Sequence, residues 1–460
     1  MKQNIKDIQG QNEKIIEKKS ESKNIQQQNI QKENLYKKEV DNLIKNNIIE
    51  QLENKPPIYP MLSKFKNTPG IGLANIDSPH SCMNAILQCF SHTAPLTEYF
   101  LNPEHKEIIT KGKFNNNKNE PRLSEAYYEV VQNLWPLDNT SKAKYFSPNK
   151  FKDVLGTLKN YFKKMEAINA KDFIDFFLNQ IHKEINLGNE PKKKDTLDSY
   201  NRELALNNFI NELQESCSSI ISDNFHGIYE YTFKCLNCFR MDDPNYILYD
   251  YHPYSFIDSY LEGVRKFRDN NISQKMTMNN QMMFLNIGVN HNILPNIDMD
   301  PMMMPKMVID PNYNTNKVTI YDCFNYEQSL MWRDNLAFCN NCKLASEVIT
   351  GNIIYTLPKI LIIILKRYKY KVILDYPLEM DLSNYVISRI NNEKYIYSLY
   401  GVITYTEDSS KKMHYIATCK SPLDGKWFRY DDENVMPISD LNKEVLNFNT
   451  PYILFYQRKK

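Results

Sequence analysis

Four of the nine cysteines fall into two CxxC pairs, Cys235-Leu-Asn-Cys238 and Cys339-Asn-Asn-Cys342. Each pair presents two thiolates from one tight turn. Two such turns make a tetrahedral four-sulfur site, which Zn2+ fills without a geometric preference of its own. Both pairs follow strand-like segments, so the closed site would clamp the tips of two hairpins where little core is available. Its expected role is structural. The alternatives are two unrelated reduced pairs or a redox CxxC, but nothing thioredoxin-like surrounds either pair. The remaining five, Cys82, Cys89, Cys217, Cys323 and Cys419, make the total odd in a long chain, which argues against a disulfide framework. After position 291 the chain has one histidine, His414, in a strand-like segment, with Asp431 in the next. Such a histidine, read alone, is more often structural than reactive.

The elements that must hold these residues emerge from composition and periodicity. The chain has 460 residues, with 57 Lys+Arg against 55 Asp+Glu, 42% hydrophobic and 12% aromatic. That composition supports a large core, and a net charge of +2 excludes polyanion binding driven by bulk charge. The longest apolar run, Ile360 to Leu365, is far shorter than the roughly 20 residues that span a bilayer. The N-terminus shows no apolar leader. No membrane association and an intracellular location, cytoplasm or nucleus, are expected.

Residues 1–60 are rich in Lys, Gln, Asn, Glu and Ile and read as a solvated tail. Val40, Ile44, Ile48 and Leu52 recur at helical spacing, so the tail is partly helical or a docking helix for a protein partner. Pro56, Pro57 and Pro60 mark its end. Residues 70–215 carry helical patterns. Ser147-Pro148 opens one helix, and in KDFIDFFLNQIHKEI the residues Phe173, Phe176, Phe177, Gln180, Ile181 and Ile185 share a face. From about 225 onward the segments GIYEYTFKC, NYILYDYH, KILIIILKRYKY, YSLYGVITY, HYIATCK, KWFRYDD and YILFYQRKK are β-branched and aromatic, hence strands. A helical half followed by a strand half reads as α+β. Residues 270–316, rich in Met, Asn and Pro, read as a low-complexity insertion, with an adaptable Met-rich binding patch as the alternative.

Five segments in order resemble one family. Gly72-Leu73-Ala74-Asn75-Ile76 with Met83-Asn84-Ala85-Ile86-Leu87-Gln88-Cys89 is similar to the cysteine box of the ubiquitin-specific proteases. KDFIDFFLNQIHKEI resembles their glutamine-aspartate box, and His414-Tyr415-Ile416-Ala417 with Trp427-Phe428-Arg429-Tyr430-Asp431-Asp432 their histidine box. FHGIYEYTFKCLNC and LPKILIIILKRY resemble the entry to the fingers and a central palm strand. The resemblance covers residues 68–458. It implies a papain-like architecture: a helical thumb over 70–215, then palm and zinc-bearing fingers over 216–458.

The resemblance also implies a reaction, hydrolysis of the bond after the C-terminal glycine of ubiquitin. A thiol is a poor nucleophile until a base or a helix N-terminus lowers its pKa, and the developing oxyanion needs fixed donors. His414 would be the base, Asp431 its orienter, Asn75 the oxyanion donor and Cys82 the nucleophile. Asp172 and Asp175 match positions that hold the extended ubiquitin tail. The segment DSPHSC, however, is one residue longer than the family's pattern. Counted back from Met83, Ser81 stands at the nucleophile's position; counted from Asn75, His80 does. Ser81 otherwise reads as a helix N-cap, and Met413 replaces a glycine before His414. Two functions follow: a thiol-dependent deubiquitinase, or a ubiquitin-binding scaffold with a dead site, as in the nucleophile-less members linked to splicing and mRNA deadenylation. A zinc-ribbon nucleic-acid binder is opposed by the near-neutral charge and the lack of an aromatic–basic stripe.

Overall fold

A computed structural model of the chain describes residues 59–459, except 66–67, 69, 76–79, 113–119, 137–142, 164–168, 190–200, 236, 238–247, 271–316, 329–330, 340–341, 367–371, 388–393, 408–412 and 447–450. The helix expected near Val40–Leu52, the Met-rich insertion from 271 on and Cys238 lie outside the described residues. The described residues form one compact unit, Tyr59–Ser388 with Lys394–Lys459.

Eight helices come first: α1 (Ser81–Ser91), α2 (Ala94–Leu101), α3 (Lys106–Lys111), α4 (Leu123–Leu134), α5 (Asn149–Leu158), α6 (Ala170–Ile185), α7 (Arg202–Ser216) and α8 (Ile220–Phe225). Among them lie two short strands, β1 (Gly72–Leu73) and β2 (Tyr145–Phe146), paired in parallel. All 11 residues of α1 are buried. A helix apolar or enclosed on every side must be central, and α1 packs on both lobes. Phe90 stacks on Phe177 of α6 with ring centroids 4.6 Å apart and meets Phe455 of the sheet edge-on at 5.9 Å. The buried stripe of α6 is Ala170, Phe173, Ile174, Phe177, Leu178, Ile181 and Ile185. The stripe is therefore turned slightly from the expected one, leaving Phe176 and Gln180 at its rim. Asn169 caps α6 through Lys171 N, and Ser219 and Ser222 form a reciprocal capping box on α8.

The strand half contains two larger sheets. The eight-stranded sheet runs β15-β14-β13-β12-β16-β9-β5, with β11 also on β12. Its strands are β5 (Ile257–Tyr260), β9 (Ile360–Lys366), β11 (Glu379–Asp381), β12 (Ile396–Glu407), β13 (Met413–Lys420), β14 (Trp427–Asp431), β15 (Asn434–Pro437) and β16 (Pro451–Arg458). The run ILIIIL is explained by burial on both faces. Ile360, Ile362 and Ile364 join the helical core, whereas Leu361, Ile363 and Leu365 face a second core. β16 alternates in the same way, with Ile453 and Phe455 on one side and Leu454 and Tyr456 on the other. Gly401 of β12 lies where α1 presses closely on the sheet. A Cβ there would lie 3.2 Å from Phe455 and 3.3 Å from Cys89 Sγ.

The second sheet, β4-β3-β8-β7, comprises β3 (Gly227–Cys235), β4 (Leu248–Tyr254), β7 (Met331–Phe338) and β8 (Ala345–Thr356). It carries the cysteine turns. Helices also enter the strand half, at α9 (residues 261–270) and α10 (Ile320–Glu327), the latter started by a Thr319–Asp322 capping box. They supply Leu261, Val264, Ile320 and Phe324 to the second core. The short strands β6 (Lys317–Thr319) and β10 (Ile373–Asp375) pair in parallel beside them. No helix among the described residues is long and apolar enough to cross a membrane.

Phe177 is fully buried and touches Phe90, Tyr127 and Phe151. Phe177→Ala is expected to cost about 3–5 kcal/mol, read as a lowered denaturant midpoint at an unchanged slope.

Candidate active site

The sheet brings His414 and Asp431 together. His414 is the second residue of β13 and Asp431 the last of β14, in antiparallel register set by Ala417 opposite Tyr430. His414 Nε2 and Asp431 Oδ1 are 2.7 Å apart. Arg429 reaches the other oxygen of Asp431 at 3.9 Å. The carboxylate fixes the ring and leaves Nδ1 as the nitrogen that can exchange a proton with a group across the seam.

The turn from β14 to β15 ties this pair to the helical lobe. Asp432 has φ +50°, a left-handed conformation that acidic and amide side chains tolerate better than most. Its buried carboxylate accepts from Asn75 Nδ2 at 2.7 Å and from Asn84 Nδ2 of α1 at 2.8 Å. Burial pushes the Asp432 carboxyl up, and those two amides work against the shift. Asp432 Oδ2 is 4.0 Å from His414 Nδ1. Glu433 Oε1 accepts from the Asn75 backbone at 2.7 Å, and Asp432 O from Leu73 N at 2.9 Å. Gly72 allows this approach, since a Cβ there would fall 2.5 Å from Asp432 O. One amide proton of Asn75 is thus committed to Asp432, and its Oδ1 accepts from His80 N at 3.3 Å.

The start of α1 departs from one expectation. His80, rather than Ser81, holds the N-cap position; Ser81 is the first helical residue. Its side chain is engaged elsewhere: Ser81 Oγ accepts from the backbone N–H of Tyr415, the residue after His414, at 3.2 Å. Cys82, expected as the nucleophile, is 3% exposed, and its thiol makes no hydrogen bond with His414. Burial pushes the Cys82 thiol up to about 12, the opposite of activation. Around it, Tyr415 and Tyr452 have ring centroids 5.8 Å apart, and Tyr405 stands 5.6 Å from Tyr452. Both Tyr415 and Tyr452 have phenols raised by burial first and by Cys82 next. Met413 is 56% exposed, and its sulfur accepts from Tyr415 Oη at 3.2 Å.

Asp172 and Asp175 stand on the first turns of α6, the first half-buried and the second exposed. Asp175 accepts from Asn179 at 3.0 Å. Asp172 is one of the charges that raise Tyr452, after burial, Cys82, Asp258 and Tyr405. It therefore borders the same seam without joining the His414 cluster. The sequence placed Asp432 in the histidine-box resemblance without a role and gave Glu433 none; their signal is the acidic run Asp431-Asp432-Glu433 closing a strand.

Three of the four expected metal ligands converge. Cys235, Cys339 and Cys342 offer sulfurs all within 4.8 Å of one another, and Cys235 Sγ and Cys342 Sγ are 3.9 Å apart. Zinc–sulfur bonds near 2.3 Å put tetrahedral sulfurs about 3.8 Å apart, so the donor set fits. The second pair forms a knuckle in which Lys343 N donates to Cys339 O at 2.9 Å and Cys339 N to Leu344 O at 2.9 Å. Lys343 takes φ +56° to close it.

A helical lobe, a sheet lobe and a histidine–carboxylate pair on the sheet opposite a buried helix start define a papain-like α+β fold. Within that class the chain belongs to the ubiquitin carboxyl-terminal hydrolase family, whose model matches residues 71–456. It is 22% identical over 400 residues to ubiquitin carboxyl-terminal hydrolase 2 of Bos taurus, covering 84% of this chain and 54% of that protein. It is 30% identical over 179 residues to ubiquitin carboxyl-terminal hydrolase 4 of Mus musculus, covering 38% of this chain and 18% of that protein. The chain spans about half the length of the longer-matching relative, or less for others. Among solved structures it is similar to the SAGA Ubp8/Sgf11/Sus1/Sgf73 DUB module bound to ubiquitin aldehyde. There the TM-score is 0.54 at 18% identity, over 92% of this chain and 76% of that one.

With a thiol raised from 9.0 to about 12, the Cys82 thiolate at pH 8 is expected to be roughly a thousandfold scarcer than that of an ordinary cysteine. Alkylation of Cys82 in the native protein, followed by mass spectrometry, should keep rising with pH beyond 10. A plateau below pH 8 would show an activated thiol instead.

Proposed function

We propose that this domain recognises ubiquitin, holding the modifier's C-terminal tail in the seam between the helical and sheet lobes, and that thiol hydrolysis is silent in it. The observation that carries this reading is the hydrogen bond from Tyr415 N to Ser81 Oγ. It makes Ser81 the first side chain of α1 to meet the His414 strand, while Cys82, next in the helix, is enclosed with a raised pKa. An aliphatic hydroxyl is a far weaker nucleophile than a thiolate unless a base deprotonates it during attack, and Ser81 Oγ makes no hydrogen bond with His414. Ubiquitin as the ligand is supported by family membership and by structural relatives described as bound to ubiquitin aldehyde or monoubiquitin. Asp172 and Asp175 would hold the tail. A cytoplasmic or nuclear setting accords with that ligand.

The second reading, an active thiol deubiquitinase using Cys82, His414, Asp431 and Asn75, draws support from the aligned His414–Asp431 pair. A ubiquitin C-terminal electrophile separates the two. The expected result is ubiquitin binding with no adduct in the unaltered protein. Ser81→Cys should gain an adduct, and His414→Ala in the same chain should lose it. An adduct on the unaltered protein that vanishes with Cys82→Ala establishes the active enzyme. Turnover lost with Ser81→Ala would make Ser81 the nucleophile.

Cys235, Cys339 and Cys342, with Cys238, would hold a structural Zn2+ that supplies folding energy to the fingers. Cys235→Ser is expected to lose zinc by elemental analysis and to weaken ubiquitin binding, leaving the helical lobe folded. Zinc content and affinity both unchanged would remove the metal assignment.

A further inference from the structure

The backbone ladder does not join His414 to Asp431. Ala417 opposite Tyr430 is the last pair between β13 and β14. His414 lies beyond it on one strand and is paired with Thr406 of β12, while Asp431 lies beyond it on the other and is paired with Asn434 of β15. The 2.7 Å contact between the two side chains therefore spans two hairpins, and the β14–β15 hairpin must be seated by something else. Helix α1 does this at two points. One is the Asp432 carboxylate, which accepts from Asn84. The other is the Tyr430 hydroxyl, 2.9 Å from Nε2 of His92, the residue that closes α1. Asn84 and His92 stand eight residues apart, about 12 Å along the helix, and their two partners flank Asp431.

The direction of the second bond is fixed by its surroundings. His92 Nδ1 is 2.8 Å from the Gln88 carbonyl, which can only accept, so that nitrogen carries the proton and Nε2 accepts from the Tyr430 hydroxyl. Burial keeps both groups in these forms. It pushes the His92 imidazole down to about 4, against the pull of the Gln88 carbonyl, and pushes the Tyr430 phenol up. Trp135 meets the His92 ring edge-on at 5.7 Å, and the Tyr430 ring is tilted against it at 5.0 Å. A small cavity borders the pair beside Thr68, Gly70 and Leu134. Packing is open on that side, so the hydrogen bond does more than contact to set where Tyr430 stops. We infer that His92 is a positioning residue: through Tyr430 it seats Asp431, and Asp431 in turn decides which nitrogen of His414 carries the proton. This deepens the reading of the seam as the functional site and rests on it only there, since the test reads the imidazoles themselves with no ubiquitin present.

The test is a long-range proton–nitrogen correlation spectrum of the full chain carrying isotope-labelled histidine, which reports the tautomer of each ring. It is recorded at mildly alkaline pH, where ordinary imidazoles are neutral. In the unaltered protein His92 is expected in the Nδ1–H form and His414 in the Nε2–H form. Tyr430→Phe keeps the ring and removes the hydroxyl, and His414 should then pass to a mixture of tautomers. His92→Leu should do the same. His92→Gln, whose amide can donate to Gln88 O and accept from Tyr430, should keep His414 in the Nε2–H form. A single Nε2–H form at His414 in both Tyr430→Phe and His92→Leu overturns the assignment. So does a mixture equally large in Leu178→Ala, a truncation in the buried stripe of α6, because the shift would then report lost stability alone. Should the variants fail to fold, the unaltered protein still decides: His92 found in the Nε2–H form has no acceptor to offer Tyr430 and ends the proposal.

Discussion

The register of α1 is the constraint on which the site depends. The helix is enclosed on all sides, so it cannot rotate or slide without disturbing every neighbour. Asn84 must meet Asp432, Gln88 Nε2 must reach Ile71 O at 3.0 Å, and Phe90 must stack on Phe177. A slip of one residue, which would carry Cys82 to the place of Ser81, turns each of these by about 100° and moves it about 1.5 Å. The buried amides would lose their acceptors, and a close-packed core has no room for the displaced rings. The extra residue in DSPHSC is therefore not absorbed by the helix, and the residue presented to β13 is a serine.

The β14–β15 turn converts that register into site geometry. Asp432 is bonded to Asn75 and Asn84, and Glu433 to the Asn75 backbone, so the segment before α1, α1 itself and the histidine strand share one turn. Asp431, adjacent in sequence, orients His414 from the same turn. The burial of the two carboxylates divides their work. Asp432 is enclosed and accepts from both Asn75 Nδ2 and Asn84 Nδ2, linking the segment before α1 to the helix itself. Asp431 is 29% exposed, and its partner His414 38%. An ion pair so open to water contributes little to stability.

Much of the fold is legible from periodicity because burial and pattern coincide. ILIIIL is continuous because both faces of β9 are covered, and β3 and β13 follow the alternating or aromatic runs that mark them. The helices α9 and α10 are harder to read, being short amphipathic pieces set among strands. The turn of the α6 stripe escapes because Phe176 and Gln180 differ from their buried neighbours only by what packs beside them. The convergence of Cys235, Cys339 and Cys342 could be expected from the CxxC spacing, and the His414–Asp431 pair from what the family resemblance implies. The roles of Asp432 and Glu433 could not, since their partners lie hundreds of residues away. The N-cap shift from Ser81 to His80 follows from the same long-range pull: the serine hydroxyl accepts from Tyr415 N instead of from its own helix.

The seam sets an imidazole oriented by Asp431 beside a thiol enclosed at the start of α1. Beside the imidazole held by Asp431 stand the mutually tilted rings of Tyr405, Tyr415 and Tyr452. Binding needs only that these groups be placed. Hydrolysis also needs a thiolate, and the enclosure of Cys82 raises its pKa and opposes thiolate formation. On the proposed reading the packing of α1 would separate recognition from cleavage, since relieving it to free Cys82 would dismantle the Asn84–Asp432 link that shapes the seam.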